Sequence, residues 1–529
     1  MALINEGCSE FPMLRGAQNI YVDKTNYFYR LIQTATATPC FFFLARPRRF
    51  GKSLMISTFK AIFEGKRELF DGLAIAKTEY DWQPWPVLHL DLSLALANTY
   101  EQFQEGLQRV MRKALSEEAW SGNYTFDESK SPTDNLMGAL ASAAPVVLLI
   151  DEYDAPICHV LDRPELCEAI RGELANLYAV MKANQGAIRF VMITGISKFA
   201  SMAVFSGLNN VIDLTYKKEA AAMLGYTQAE LEANFGEYLD RRAQEMGLSK
   251  ADFMAGLAHW FNGYRFSIDS EVSVYNPVAI ARTLTSDQPY FDAQWTTTGR
   301  SSMLSKFLRR YDLLKIDFQG PIYASRSNLE TPSQIVALSP VAVLYQTGYL
   351  TLADYDRATG RYTLRIPDEE VRRDLMGFLC ELTISSDAAR EDARAHVALD
   401  SLDDLLNVDL YELYAQCHYG PTETRIQEYN YQRILQVLFW SLGYDPIVEP
   451  VQSSGKHADL VVKAGDVIFV FELKSDGTTA EAALQQIKDR GYATPYLHDG
   501  RPIALVGLSF HKGQRELQGV AYEVLPSLA

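Results

Sequence analysis

The sequence has few of the features that mark secreted, metal-binding or membrane-spanning chains. It contains no C-x-x-C pair, which argues against a disulfide framework and a zinc site. No stretch reaches the 18 uncharged apolar residues of a membrane span, and the first residues lack the basic and apolar regions of a secretory signal. We therefore expect a cytoplasmic protein without a membrane partner. The six scattered cysteines are Cys8, Cys40, Cys158, Cys167, Cys380 and Cys417.

The chain also has no overall excess of basic residues. It carries 50 Lys and Arg against 66 Asp and Glu, a net charge of −16. This balance argues against a global electrostatic attraction to nucleic acid, although it permits a local basic groove. Residues 1–70 differ, because they hold ten basic against five acidic residues. A phosphate-binding end of the molecule would have this composition.

The length and the pattern of apolar runs indicate a folded protein of several domains. At 529 residues with 48% hydrophobic content, the chain is too long for a single core, so two to four domains are expected. Up to about residue 216, strand-like and helix-like segments alternate. That alternation predicts an α/β fold with a parallel sheet covered on both faces.

The stretch 40–57, CFFFLARPRRFGKSLMIS, reads as a strand, a short basic loop and a helix. Such a loop directs backbone N–H groups and the positive end of the helix dipole at one place, which suits a phosphate. In the pattern G-x-x-x-x-G-K-[ST], Lys52 reaches the β and γ phosphates and Ser53 binds Mg²⁺. Arg46 stands where this pattern has its first glycine. The stretch predicts an ATP site formed by Arg49, Phe50, Gly51, Lys52, Ser53 and Leu54.

Two acids follow a second apolar strand, at residues 145–150. In phosphate-loop enzymes the first acid, here Asp151, holds Mg²⁺ through water, and the second, Glu152, polarises the attacking water. Alternatively, both acids simply follow a buried strand. A further strand, residues 188–193, ends at Thr194. This residue is either a sensor of the γ phosphate or part of an ordinary turn.

Several stretches together resemble the bacterial AAA-ATPase-like family, whose members usually carry a C-terminal nuclease domain of the PD-(D/E)XK superfamily. These stretches are YVDKT (residues 21–25), RPRRFGKS (46–53), LIDEYDAPI (149–157), TGISKFASMAVFSGLNN (194–210) and WFNGYRF (260–266). The resemblance implies a P-loop ATPase core at residues 1–216, a helical lid at 217–300, a helical or winged-helix-like connector at 301–400, and a nuclease-like domain at 410–529.

The resemblance also suggests roles for several arginines. The first glycine of the pattern normally helps the backbone N–H groups to surround a phosphate. In its absence, one of Arg46, Arg48 and Arg49 would supply positive charge instead. In the lid, Arg265 and Arg300 are candidates for a nucleotide contact, but for each of them we favour the interpretation as an ordinary surface arginine. The connector would contain a helix, a hairpin and a second helix, and we favour a linking role over DNA binding because acids are as frequent as bases there.

The last domain contains a predicted hairpin, HADLVVKAGDVIFVFELK, that resembles the nuclease motif. Its first strand starts at Asp459. On its second strand Glu472 and Lys474 point the same way, because side chains alternate faces. The two carboxylates and the carbonyl of Leu473 would hold Mg²⁺, or Mn²⁺, with Lys474 positioning or activating water.

Three neighbouring residues match features of the same nuclease superfamily. Glu428 matches an acid that some members add to the metal site, and Gln486 with Tyr492 resembles the extra motif of RecB-like nucleases. From residue 420 onward, however, ten basic residues face thirteen acidic ones, so the domain has no bulk attraction to a polyanion. A metal site kept for structure, or an inactive relic, is the alternative.

Together these features predict an ATP-binding and ATP-hydrolysing module that controls a metal-dependent nuclease. The expected ligands are ATP and Mg²⁺, the expected substrate is a nucleic acid, and the AAA-like module leaves a homo-oligomer open. The rival interpretation is an ATP-driven signalling or scaffold switch with an inactive nuclease-like domain. The absence of basic runs disfavours a DNA-translocating motor.

Overall fold

The computed structural model describes residues 2–37, 40–142, 145–198, 210–294, 313, 316–330, 339–384, 386–417, 428–449, 457–511 and 516–527. The chain forms two compact units. The first comprises Met1–Phe307 and Asp317–Val371, and the second comprises Leu308–Ile316 and Arg372–Ala529. None of the helices in the described ranges combines the length and apolar character that a membrane span requires.

A parallel sheet of five strands forms the centre of the first unit. The strands are β1 (Phe41–Ala45), β2 (Val87–Asp91), β3 (Val146–Asp151), β4 (Ile188–Gly195) and β5 (Val211–Asp213). Their order is β2-β3-β4-β1-β5, and every neighbouring pair is parallel. β1 (FFFLA) and β3 (VVLLID) are buried along their whole length, as expected for a sheet covered on both faces. The carboxyl ends of β1, β3 and β4 therefore meet at one edge.

Helices cover this sheet. They are α1 (Phe11–Gly16), α2 (Thr25–Ala37), α3 (Lys52–Phe63), α4 (Tyr100–Ser116), α5 (Pro132–Ser142), α6 (Ala155–His159) and α7 (Pro164–Ala183). The hydroxyl of Thr99 caps α4 by accepting a hydrogen bond from the amide of Gln102. Phe103, Leu107 and Val110 then recur at helical spacing and are buried, each stabilising the fold by about 2 kcal/mol. This apolar face packs on β2.

A mostly helical segment follows in the same unit. Its elements are α8 (Gln228–Glu245), α9 (Lys250–Phe261), β6 (Asn262–Tyr264), β7 (Val274–Tyr275) and α10 (Pro277–Thr285). Thr227 and Glu230 form a capping box at the start of α8. Glu230 also accepts a hydrogen bond of 2.6 Å from the buried ammonium group of Lys24. This ion pair fixes α8 to the N-terminal part of the chain.

The next described segment forms an antiparallel sheet with flanking helices. Its elements are β8 (Ile322–Ser325), α11 (Arg326–Glu330), α12 (Pro340–Thr347), β9 (Thr351–Asp356), β10 (Arg361–Arg365) and α13 (Glu369–Thr383). The strand order is β8-β10-β9. The helix, hairpin and helix expected in the connector are present, and β8 adds a third strand that the sequence pattern did not predict.

The second unit contains a mixed sheet. The helices are α14 (Asp387–Ala395), α15 (Leu402–Asp404), a π-helical turn (Leu405–Asp409), α16 (Leu410–Ala415), α17 (Glu428–Ser441) and α18 (Ala480–Arg490), and the strands are β11 (Ile447–Val448), β12 (Leu460–Ala464), β13 (Val467–Lys474), β14 (Ile503–Phe510) and β15 (Leu517–Leu525). The strands follow chain order, and β13 and β14 alone form a parallel pair. α18 provides the crossover that parallel strands need.

The predicted fold class is confirmed, with a parallel five-stranded sheet at the N-terminus and a mixed sheet at the C-terminus. The structure corrects two boundaries that affect the sites. β4 continues to Gly195, so Thr194 lies inside the strand rather than in a turn. β12 begins at Leu460, so Asp459 precedes the strand that it was expected to start. The proposed division into four domains stays a prediction.

The second unit contains a histidine whose protonation should stabilise the fold. Nδ1 of His396 lies 2.8 Å from Oδ2 of the buried Asp409, and this hydrogen bond raises the pKa of His396, helped by Asp404 and Asp392. A raised pKa adds stability below the unfolded value, and that stability is lost as pH rises through the folded value. The wild type should therefore lose more stability than His396→Gln between about pH 5.5 and about pH 8.5 in urea denaturation. Equal losses would contradict this assignment.

Candidate functional sites

The first candidate site surrounds the loop between β1 and α3. Gly51 caps α3 with φ +88°, a conformation that favours glycine. The side chain of Lys52 is buried, and its ammonium group donates to the carbonyl oxygens of Arg46 and Pro47 at 2.9 Å each. Burial lowers the pKa of Lys52, while Glu152 opposes this shift. The loop thus holds a partly desolvated cation that a phosphate would stabilise.

Arg46 does not line the cleft beside the loop. Of the three arginines considered as a source of charge for the phosphate, Arg46 is therefore excluded. Its guanidinium is fully buried and donates to the carbonyl oxygens of Ala45, Thr215 and Ala220 at 2.8–3.0 Å. It also lies over the ring of Phe266, 4.1 Å from the ring centroid. Arg46 therefore anchors the loop to a distant segment instead of supplying charge to a phosphate.

Arg46→Ala should strongly destabilise the first unit, because three buried carbonyl oxygens lose their donor. We expect the free energy of unfolding to fall by about 3 kcal/mol. Arg48→Ala, in the same loop but exposed, should change it by less than about 0.5 kcal/mol. Urea denaturation of both variants measures the difference. Similar losses in the two variants would show that the burial of Arg46 contributes little.

A cleft of about 560 Å³ opens beside the loop. The cleft is lined by four basic side chains and two acidic ones, which are Arg48, Arg49, Lys52, Arg282, Glu6 and Glu152. Arg49 and Arg282 both donate to the carbonyl oxygen of Gln294, at 3.5 and 3.2 Å. Four basic side chains against two acids leave the cleft with an excess of positive charge, which suits a polyanion such as a triphosphate. The other lining residues include Asn5, Gly7, Cys8, Gly51, Ser53, Leu54, Tyr226 and Pro277.

Phe50, which was predicted to contact the nucleotide, does not line the charged cleft. Its ring is buried and packs edge-on against Tyr264 and Phe266. It also lines a smaller apolar cavity of about 80 Å³, which shares Gly51 and Leu54 with the larger cleft. Phe50 therefore contributes to the apolar cavity rather than to the charged cleft.

Asp151, Glu152 and Thr194 lie together because β4 is inserted between β1 and β3. The hydroxyl of Thr194 and the amide of Glu152 both donate to Oδ1 of Asp151. Asp151 and Thr194 are buried behind the cleft, whereas Glu152 lines it. Glu152 has φ +49°, a conformation that costs about 1–3 kcal/mol for a residue with a side chain. Burial raises the pKa of Glu152, and Lys52 opposes the shift.

Of the two lid arginines considered for a nucleotide contact, Arg265 does not line the cleft, and a neighbouring arginine was missed. Arg265 donates to the carbonyl oxygens of Ser267, Ser270 and Ala353, so it connects its own segment to β9. Arg300 lies outside the described residues. Arg282, near the end of α10, reaches the cleft instead. No motif surrounds Arg282, and only its place on a helix that follows the sheet could have suggested it.

The second candidate site lies at the carboxyl end of β13. Oδ2 of Asp459 accepts a hydrogen bond of 2.6 Å from the amide of Leu473. The ammonium group of Lys474 donates to Oε1 of Glu472 at 2.6 Å, so these two side chains share a face of the strand. The amide group of Gln486 also donates to Oε1 of Glu472. The hairpin and α18 thus gather the residues of the predicted motif.

α17 contributes to this site from the other side. Oε2 of Glu428 accepts a hydrogen bond of 3.2 Å from the amide of Ser475. One turn later, the side-chain amide of Gln432 donates to the carbonyl oxygen of Asp459 at 2.6 Å. The sequence did not point to Gln432, although it follows Glu428 by four residues and therefore shares its helix face. Tyr492 lies 3.4 Å from Nε2 of Gln486.

The carboxylate of Glu472 is only half satisfied. The side chain is buried, and its Oε2 has no hydrogen-bond partner in the structure. Burial, reinforced by the nearby Asp459, raises the pKa of Glu472 to about 7. Burial also raises the pKa values of Asp459 and Glu428. For Lys474, burial opposes the charged form, but the hydrogen bond with Glu472 raises the pKa overall.

The donor set fits a hard divalent cation. Two carboxylates and the carbonyl of Leu473 provide the oxygen ligands that Mg²⁺ and Mn²⁺ prefer. Within the described ranges, no group of three or more His, Cys, Asp or Glu side chains is arranged to hold a metal ion. The role of Glu428 as a third carboxylate ligand stays a prediction. The observation that favours a cation is the unpartnered, buried oxygen of Glu472.

Comparison with known families gives one match within each unit. The model described as predicted AAA-ATPase matches residues 5–205, which include the phosphate loop and the acids after β3. The model of the PD-(D/E)XK nuclease superfamily matches residues 426–518, which include the hairpin and α18. The chain belongs to the AAA-ATPase-like family and carries a C-terminal domain of the PD-(D/E)XK nuclease superfamily, as the sequence resemblance indicated.

A bacterial relative aligns with nearly the whole of this chain. It is a protein of Azotobacter chroococcum mcd 1 described as an uncharacterized protein in the vnfD 5′ region. The two chains are 30% identical over 533 residues, an alignment that covers 98% of each. The similarity therefore extends through the segments between the two matched domains.

Proposed function

We propose that this protein is an ATP-controlled, metal-dependent nuclease. Its first unit binds and hydrolyses ATP, and the nucleotide state controls hydrolysis of nucleic-acid phosphodiester bonds by the second unit. Two separate sites suited to phosphate chemistry in one chain support this proposal. Such control requires that ATP binds two conformational states of the protein with different affinities.

The observation that carries the nuclease assignment is the buried Oε2 of Glu472, which lacks a hydrogen-bond partner. Leaving a buried charged oxygen unpaired costs free energy, and the raised pKa of Glu472 reflects that cost. A divalent cation shared with Asp459 would remove it. An acid that binds no cation is expected to have both carboxylate oxygens hydrogen-bonded, as Asp154 has in the first unit.

At the ATP site, the roles follow from the positions of the side chains. The ammonium group of Lys52 and the guanidinium groups of Arg49 and Arg282 would bind the phosphates. Ser53 and Asp151 would hold Mg²⁺, and Glu152 would orient the attacking water. The apolar cavity lined by Phe50, Leu54 and Tyr226 would receive the base. Thr194 would fix the carboxylate of Asp151 through its hydrogen bond.

At the nuclease site, Asp459, Glu472 and the carbonyl of Leu473 would hold the metal ion. A bound Mg²⁺ or Mn²⁺ would supply electrostatic stabilisation of the charge that develops on the phosphate. Lys474 would position the attacking water and remains protonated through its pairing with Glu472. Gln486 holds the carboxylate of Glu472 in place.

Metal binding tests this assignment directly. The folded, metal-free protein holds a proton on Glu472 up to about pH 7, whereas an unfolded glutamate loses it near 4.5, so this group lowers stability as pH rises between these values. A cation replaces that proton. Adding Mn²⁺ should therefore raise Tm more at about pH 8 than at about pH 6.

Glu472→Gln and Asp459→Ala should abolish this rise in Tm, while Glu481→Gln, which changes an exposed acid on α18, should keep it. A rise of the same size in Glu472→Gln would contradict the assignment. No rise in the wild type would favour the alternative function, an ATP-driven switch with an inactive nuclease-like domain.

A further inference from the structure

Asp154, three residues after the first acid of the ATP site, forms an unusually complete hydrogen-bond set. Its side chain is 1% exposed. The carboxylate accepts hydrogen bonds from the amides of Ile196 and Ser197, at 3.2 and 2.7 Å, and from the hydroxyl of Ser197 at 2.5 Å. The thiol of Cys158 adds a fourth donor at 3.6 Å. Asp154 therefore joins the segment after β3 to the segment after β4.

Tyr153 makes the same connection through its backbone and its ring. Its amide donates to the carbonyl oxygen of Thr194 at 3.0 Å, and its hydroxyl donates to the carbonyl oxygen of Ser197 at 2.8 Å. On the other side of Glu152, Oδ1 of Asp151 accepts from Thr194. Both residues that flank Glu152 are thus tied to β4 or its continuation, and Glu152 itself is held at φ +49°.

Gly195 shows that this connection is closely packed. A Cβ at this position would lie 2.5 Å from Oδ1 of Asp154 and 2.5 Å from the ring of Tyr153. A Cβ atom essentially never lies this close to another heavy atom, so any side chain at residue 195 would push the two segments apart. The φ of Gly195 is not in the left-handed region. The glycine is therefore required by close packing rather than by backbone conformation.

We propose that Asp154 is a positioning residue for ATP hydrolysis, which fixes Glu152 in its left-handed conformation so that the carboxylate faces the phosphate cleft. This inference rests on the proposed ATPase function and assigns a role to the second aspartate of the sequence DEYD. Asp154 touches neither the cleft nor the phosphate loop. It acts through the connection with Ser197 and Ile196.

A positioning role and a purely structural role predict different effects of losing Asp154 on ATP binding and on ATP hydrolysis. Asp154 does not line the cleft, and its charge acts on Lys52 less than the charges of Glu152 and Asp151 do. Its loss should therefore leave ATP binding nearly intact. Hydrolysis requires Glu152 at one place, and a displacement of about 1 Å costs about 100-fold in rate. A residue with only a structural role would lower stability and weaken binding and turnover together.

Asp154→Asn keeps the size of the side chain and removes its charge. We expect kcat for ATP to fall about 10- to 100-fold while the Kd for ATP changes by less than about twofold. Ser197→Ala, which removes one donor and preserves the backbone amides, should lower kcat less and in the same direction. Asp134→Asn, an exposed aspartate of the same unit, serves as the matched control and should behave as wild type.

Amide hydrogen exchange of the peptide spanning residues 151–158 gives a readout that needs no turnover. In Asp154→Asn the amide of Tyr153 should exchange faster than in the wild type and in Asp134→Asn. An unchanged exchange rate, an unchanged kcat, or equal losses of binding and turnover would overturn the positioning role. Absence of ATP turnover in the wild type would instead reject the proposed ATPase function, and the exchange rates would then decide the role of Asp154 in holding Glu152.

Discussion

Lys52→Ala is expected to abolish ATP binding, raising the Kd at least about 100-fold. The ammonium group of Lys52 is buried between two carbonyl oxygens of its own loop, and burial lowers its pKa. A charged phosphate is the partner that would offset this desolvation best, so removing the ammonium group should remove the main contact to the β and γ phosphates. Isothermal titration with ATP and Mg²⁺ measures the effect.

Lys60→Ala is the matched control for this experiment. Lys60 lies on the same helix, two turns further on, and pairs with Glu117 at 2.5 Å. Its loss should leave the affinity for ATP unchanged. Retained ATP binding in Lys52→Ala would reject the loop between β1 and α3 as the nucleotide site.

Glu472→Gln is expected to lower nuclease activity about 100-fold or more, since the variant removes the negative charge that the metal ion requires. The substitution preserves the shape of the side chain and an acceptor for Lys474 and Gln486. The fold should therefore survive, and the metal-free protein should be at least as stable as the wild type above about pH 7, because an unpaired buried charge is removed.

The rate of cleavage by Glu472→Gln should be compared with that of Glu481→Gln under the same conditions. Loss of activity in the first variant alone, with both proteins folded, would support a metal-dependent active site at β13. Cleavage at the wild-type rate by Glu472→Gln would reject this carboxylate as a catalytic group.

Local patterns in the sequence were sufficient to predict the parts of both sites that lie within one strand, loop and helix. The strand-loop-helix pattern predicted a helix after the loop that ends in Gly51, Lys52 and Ser53, and the structure begins this helix at Lys52. Alternation along β13 predicted that Glu472 and Lys474 share a face, and they form a hydrogen bond. These features depend on spacing of a few residues, which the sequence displays directly.

Features that depend on distant partners could not be predicted in this way. The acceptors of Arg46 include Thr215 and Ala220, about 170 residues later in the chain, so its structural role appears only when the fold is known. Arg282 reaches the cleft from α10 for the same reason. The left-handed conformation of Glu152 likewise arises from hydrogen bonds between its neighbours in the chain and β4 or its continuation. A glutamate in the sequence gives no indication of this conformation.

The most direct test of the central claim is the effect of ATP on nucleic-acid cleavage. Single-stranded DNA, duplex DNA and RNA should each be incubated with the purified full-length protein and Mg²⁺ or Mn²⁺, with and without ATP, beside Glu472→Ala. We predict that at least one substrate is cut, that ATP changes the rate of cutting, and that Glu472→Ala cuts none. Cleavage that is identical with and without ATP would contradict control by the nucleotide, and no cleavage of any substrate by a protein that still hydrolyses ATP would contradict the nuclease assignment.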